Sequence, residues 1–262
     1  MIPLADAADG ARYGGKARGL ALALRAGLPV PSGVALSPED AAAVATRGLD
    51  DGEIRALAQL GVVAVRSSAI GEDGAAASFA GLHATVLGCA TPDAVREAVR
   101  RVLASAHTKA ALAYRAKLGL TDPPRMAVVV QRLVDAEISA IVFSRDPVTR
   151  EDHLVVEATW GLGEALVQGL VNPDRFLLSR AGAPRSVSLG DKDLEIVRDG
   201  AALVEREVDA ARRGARTLGD AALLEVARVV PAAEALVGGP VDLELAWRGG
   251  ALSVLQARAI TR

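Results

Sequence analysis

Cysteine is nearly missing from this sequence: Cys89 is the sole one in 262 residues. No disulfide can form within the chain, and a zinc centre built from cysteines is excluded. Aromatic residues are also scarce, with three Phe, two Trp and two Tyr, so Ala, Val and Leu must fill the core. Neither sign of charge dominates. Thirty basic residues stand against 32 acidic ones, a formal net charge of −2. A nucleic-acid surface needs clustered basic charge, and this balance argues against one. It leaves room for a few placed cations around a single anionic ligand. Long apolar runs are lacking too. The most apolar runs, such as residues 126–130, fall far short of the roughly 20 residues that cross a bilayer. No basic segment followed by an apolar one stands near Met1, so no secretory leader is read there. A cytoplasmic protein is the expectation.

What is present is apolar bulk, 51% of residues, enough for one large domain or two joined lobes. Residues 15–26 predict a helix, with Leu20, Ala23 and Leu24 as its apolar stripe and Gly27 just past its end. Pro29 and Pro31 then impose extended chain. Residues 62–65 read as a short buried strand, followed by a polar, glycine-containing stretch over 67–81. Residues 93–105 predict an amphipathic helix with Val95, Val99, Val102 and Leu103 on one face and Asp93 as its cap. A second helix is expected over 108–117. Asp122-Pro123-Pro124 reads as a linker. Beyond it come strands over 127–131, 139–143 and 153–158, then irregular chain with short strands over 182–199. Residues 221–237 read as a helix that Pro231 should kink or split. Two strands, 241–247 and 252–258, close the chain. The expectation is an α/β (α+β) fold of two lobes, residues 1–123 and 124–262.

Three stretches carry chemistry. Gly10 through Ala17 has the spacing of a phosphate-binding P-loop. Ala17, however, stands where that loop needs a magnesium-binding hydroxyl, and no buried strand precedes it, so the P-loop reading is rejected. Lys16, following Gly14 and Gly15, can still reach phosphate oxygens as a flexible point charge. The plainer alternative is a surface lysine at a helix start. Arg66 leaves a buried strand ahead of two hydroxyls, Ser67 and Ser68. Its fork can clamp two phosphate oxygens, and the small residues up to Gly81 suit a lid that keeps water from phosphoryl transfer. A structural salt bridge beside an ordinary loop is the alternative.

The third stretch is the terminal pair of strands. If Gly249, Gly250 and Ala251 form a three-residue hairpin loop, Arg248 pairs with Leu252, Glu244 with Gln256 and Asp242 with Arg258. All four polar side chains then share one face. A carboxylate, an amide oxygen and a guanidinium side by side make a platform for Mg²⁺ and phosphate; a merely solvated polar face is the alternative. A two-residue loop would break the match. Gln131 to Val134 reads as a strand running into a hinge, where backbone groups can meet an adenine edge. Asp146-Pro147-Val148-Thr149 is most simply a turn. Trp160-Gly161-Leu162-Gly163 is not a dinucleotide fingerprint, because Leu166 occupies the third small position.

Together these segments resemble the N-terminal nucleotide-binding domain of the phosphoenolpyruvate synthase, pyruvate phosphate dikinase and rifampicin phosphotransferase family. The matching words are Gly14-Gly15-Lys16-Ala17, Pro29-Val-Pro-Ser-Gly33, Val65-Arg-Ser-Ser68, Ser78-Phe-Ala-Gly81, Asp146-Pro-Val-Thr149, Trp160-Gly-Leu-Gly-Glu164, Val171-Asn-Pro-Asp174 and Leu255-Gln-Ala-Arg258. They occur in family order along nearly the whole chain, which is far more specific than any one alone. The resemblance implies an ATP-grasp fold with ATP between two lobes. It places Lys16 and Arg66 on the ATP phosphates, Gln131, Leu133 and Val134 by the adenine, Glu244 and Gln256 on Mg²⁺, and Arg258 on the phosphate chain. In the family, phosphate passes from ATP to a histidine on a swivelling domain, yielding AMP, and then to an acceptor on a third domain.

Here the chain ends four residues after Arg258. His83, His107 and His153 are its histidines, and none has the Ser-His setting of the swivelling domain. Ala259 stands where the family usually has proline, a change that removes no ligand. The expectation is an ATP-dependent phosphotransferase subunit, served by a separate phosphohistidine-domain protein and an acceptor-binding protein. No nucleic-acid or membrane partner is expected. The alternatives are a non-catalytic nucleotide-binding module and direct transfer to a small molecule.

Overall fold

The computed structural model describes residues 1–71, 82–200 and 202–260. The expected lid word, residues 78–81, lies outside the described residues. The chain folds into two compact units. The first comprises Met1–Leu22 and Pro31–Leu133; the second comprises Ala23–Val30 and Val134–Ile260.

The first unit contains β1 (Ile2–Pro3), α1 (Gly10–Arg25, which runs on into the second unit's segment), β2 (Gly33–Leu36), α2 (Pro38–Arg47), α3 (Asp51–Ala58), β3 (Val63–Ala69), β4 (Thr85–Cys89), α4 (Pro92–Ser105), α5 (Lys109–Lys117) and β5 (Met126–Arg132). Its antiparallel sheet has the order β1-β2-β5-β3-β4. One face carries Leu36, Val63, Val65, Val128 and Val130, packed with Val44 of α2 and Val95, Val99 and Val102 of α4. The amphipathic stripe read over 93–105 is this packing face. The cap of α4 is Thr91, not Asp93. The Thr91 hydroxyl accepts from the Ala94 N–H, and Pro92 fills the first helical position, where a missing N–H costs nothing.

Strand β5 differs from expectation. A break near Pro123 would place it in the second lobe, yet it hydrogen-bonds to both β2 and β3 in the middle of the first sheet. Met126 to Gln131 are all buried, as a central strand with both faces covered requires.

The second unit holds β6 (Ile138–Phe143), β7 (Leu154–Trp160), α6 (Glu164–Val167), β8 (Asp174–Leu178), β9 (Pro184–Ser188), β10 (Leu194–Asp199), β11 (Ala202–Glu207), α7 (Ala210–Arg213), α8 (Asp220–Val237), β12 (Val241–Arg248) and β13 (Ala251–Ala259). Six strands form an antiparallel sheet in the order β13-β12-β6-β7-β8-β9, and β10 pairs with β11. The helix α8 packs on β12 and β13 through a face that includes Leu223, Val226, Val230 and Ala233. Pro231 does not split it. The proline removes one backbone donor, but buried Val230 and Ala233 flank it and hold the helix to the sheet. Among the described residues, no helix is long and apolar enough to cross a membrane.

Candidate functional site

In the first unit Arg66 lies on β3, and the helix that carries Lys16 is hydrogen-bonded to the same strand through the Ala17 N–H. Arg66 lies mid-strand, since β3 continues to Ala69, and does not mark its exit as expected. Arg66 and Ser68 are alternate residues and so face the same side. Ala64, two residues earlier, pairs with Gln131, which puts Gln131 on that side too. The Arg66 Nη1 donates to Gln131 Oε1 at 3.2 Å, and Gln131 Nε2 donates to the Pro31 carbonyl at 3.2 Å. The Gln131 amide is therefore engaged within the unit and is 2% exposed. Leu133 ends this unit, its N–H bonded to the Val62 carbonyl. Val134 opens the other unit, its carbonyl accepting from the Ala136 N–H.

Lys16 follows a break in α1 at Gly14, where φ is 75° and ψ 171°. That conformation suits glycine, and a Cβ there would lie 2.0 Å from the Ser68 carbonyl oxygen. The Ser68 hydroxyl donates to the Tyr13 carbonyl at 2.7 Å and accepts from the Ala17 N–H at 3.0 Å. The Ser68 hydroxyl is thus engaged with backbone on both sides of the break.

In the second unit the terminal ribbon brings the expected metal and phosphate residues together by a different route. The loop has two residues, Gly249 and Gly250, with φ of 57° and 77°, as a type I′ turn requires. Arg248 pairs with Ala251 and Leu245 with Val254, and Leu255 is then an extra residue in a bulge. After it, Glu244 pairs with Gln256 and Asp242 with Arg258. The expected three-residue loop is wrong, but the bulge supplies the same one-residue offset and the expected partners face each other.

The side of the sheet is fixed by Trp247. Its Nε1 donates to Glu225 of α8 at 3.2 Å, so Leu243, Leu245 and Trp247 face the helix. Asp242 and Glu244 point away from it. The same row runs on through Ile141 and Glu157 to Arg175. Glu157 and Arg175 belong to no sequence motif; only the strand register brings them into this row. Arg258 Nε and Nη2 donate to Asp242 Oδ2 at 2.8 and 2.6 Å. Burial pushes the Asp242 carboxyl above the usual carboxylate range, against the pull of Arg258 and with a further push from Glu244.

The remaining words of the resemblance hold the fold around this sheet. Asp146 makes the expected turn, its Oδ1 accepting from the Val148 and Thr149 N–H groups. Gly161 (φ 74°) lies close against the Ile196 carbonyl, which accepts from the Leu162 N–H. The Trp160-Gly-Leu-Gly163 stretch thus fastens β10 to the end of β7. Asp174 is fully buried and accepts from Gly190 N–H, Lys192 Nζ, Thr217 N–H and Thr217 Oγ1.

Residues 52–262 match the family described as pyruvate phosphate dikinase, AMP/ATP-binding domain; Lys16 lies ahead of that range. The chain is 36% identical over 201 residues to a probable phosphoenolpyruvate synthase of Archaeoglobus fulgidus, covering 76% of this chain and 27% of that protein. It is 37% identical over 228 residues to rifampicin phosphotransferase of Streptomyces sviceus, covering 86% and 26%. It spans about a quarter of the length of the curated relatives it matches. Among solved structures, D-alanine–D-alanine ligase from Bacillus anthracis complexed with ATP shares 11% identity at a TM-score of 0.44, over 97% of this chain and 58% of that one, a likeness too slight to bear on the site. With its family model matched along most of its length, this chain belongs to the pyruvate phosphate dikinase AMP/ATP-binding domains.

Proposed function

We propose that the chain binds ATP with Mg²⁺ in an ATP-grasp arrangement. It would pass one of the two terminal phosphoryl groups of ATP to a histidine on a separate swivelling domain or protein and the other to water as inorganic phosphate, so that AMP is released, as in phosphoenolpyruvate synthase-type enzymes. The observation that carries this reading is the terminal ribbon, with Glu244 opposite Gln256 and Asp242 opposite Arg258. A carboxylate and an amide oxygen on adjacent strands are hard oxygen donors of the kind Mg²⁺ takes while keeping phosphate and water ligands. When bound there, the ion would neutralise charge on the phosphate oxygens.

The chain's own residues supply the rest. Lys16 and Arg66 contact the phosphates and absorb charge that grows on them during transfer. Arg258, its guanidinium plane fixed by Asp242, meets the phosphate chain. Gln131, Leu133 and Val134 lie by the adenine. Since the Gln131 side chain is already engaged, the base meets backbone there.

The test is incubation with Mg-ATP, with and without a phosphohistidine-domain protein, followed by assay for AMP. AMP that appears only with the partner is the expected result, and Glu244→Ala is expected to lower its rate by about a hundredfold or more. Tight ATP binding with no turnover under any condition would replace this reading with a nucleotide-binding module. Turnover with a small acceptor alone would replace the histidine relay.

A further inference from the structure

We propose that Ser68 is a positioning residue: from β3 it caps the helix that starts after Gly14, and so sets Lys16 beside Arg66. The inference rests on the nucleotide reading above, in which Lys16 and Arg66 contact phosphate.

A helix start leaves backbone N–H groups without intrahelical partners, and a side chain just before it usually accepts one of them. Gly14, at the break, has no side chain to offer. The acceptor comes instead from another strand. The Ala17 N–H, third after the break, donates to Ser68 Oγ at 3.0 Å. The same hydroxyl donates to the Tyr13 carbonyl at 2.7 Å. One oxygen therefore ties both sides of the break, and Ser68 is 1% exposed. Gly14 is matched to it, since a Cβ there would overlap the Ser68 backbone. Lys16 immediately precedes the capped residue.

Arg66 stands two positions before Ser68 on β3, about 7 Å along the strand and on the same face. All seven residues of β3 are buried. Both cations are thus referenced to one rigid strand, Arg66 directly and Lys16 through the Ser68 hydroxyl. Placement to within a fraction of an ångström is what a cation needs to favour a transferring phosphoryl group. A purely structural serine would serve backbone satisfaction alone, and ligand affinities separate the two roles.

The experiment measures Mg-ATP and adenosine affinity of the whole chain and its variants by calorimetry. Ser68→Ala is expected to weaken Mg-ATP about tenfold, the effect of one lost hydrogen bond, and to leave adenosine affinity unchanged. Lys16→Ala added to Ser68→Ala should cost much less than Lys16→Ala alone, because the lysine has already lost its place. Should Ser68→Ala fail to fold, Ser68→Cys decides by the same criteria, as it fills similar space with a weaker acceptor. Equal weakening of both ligands, or additive losses, overturns the inference. If Lys16→Ala weakens Mg-ATP and the Ser68 variants do not, the inference alone fails. If Lys16→Ala binds Mg-ATP like the wild type, the phosphate role of Lys16 fails and the inference falls with it.

Discussion

At the residue scale, several buried polar side chains among the described residues are committed to one another. Glu195 is the clearest case. It is 2% exposed, and Arg212 grips both its carboxylate oxygens at 2.9 and 3.0 Å while Arg206 donates at 2.8 Å. Arg212 also lies 4.6 Å from the Trp160 ring and accepts through its carbonyl from Trp160 Nε1. Burial pushes the Glu195 carboxyl up, but the two guanidiniums outweigh it and hold the carboxyl below its usual range. A lowered carboxylate adds stability that is present above its unfolded value, about 4.3, and is lost as pH falls through the folded value. Glu195→Gln is therefore expected to cost about 2 kcal/mol near neutral pH, the scale of a hydrogen bond to a charged group. The gap to wild type should close in acid; urea unfolding near pH 7 and near pH 3 measures both, and an equal gap at the two would refute the assignment. None of this network was legible beforehand, because its members are ordinary charged residues brought together by a hairpin. The function of Ser68 was hidden likewise, as its partner Tyr13 is 55 positions away.

At the element scale the sequence was more informative. The helix of residues 92–105 and the strands β5 to β7 follow from apolar spacing, which burial of one face or both demands. The terminal ribbon shows the limit. Gly249-Gly250 suits a two-residue turn and a three-residue loop equally, so turn chemistry cannot say whether the extra residue sits in the loop or the strand. Deleting Leu255 should make the ladder regular and keep Glu244 opposite Gln256 and Asp242 opposite Arg258, with Mg-ATP affinity largely retained. Inserting one alanine between Leu255 and Gln256 should turn Gln256 and Arg258 toward α8 and abolish binding. Calorimetric titration of the two variants checks this, and similar affinities for both would contradict the register argument.

At the scale of the whole molecule, the chain does not fill its two units in sequence order. The break read from Asp122-Pro123-Pro124 is a local turn signal and says nothing of what the next strand pairs with. Strand β5 bonds to both β2 and β3. A fragment of residues 1–123 would leave those two strands without their shared neighbour. It is expected to melt without a cooperative transition, while residues 1–133 should show one by circular dichroism. Matching melts would refute the central role of β5. The second unit is discontinuous as well, since it includes Ala23–Val30, where the Pro29 carbonyl accepts from the Val254 N–H on β13. During synthesis that early piece leaves the ribosome almost the whole length of the chain before its partner exists. Closing so long a loop costs entropy that a local contact does not. The interval is when a nascent chain most depends on chaperones, and a pause or truncation before β13 would leave the early segment stranded.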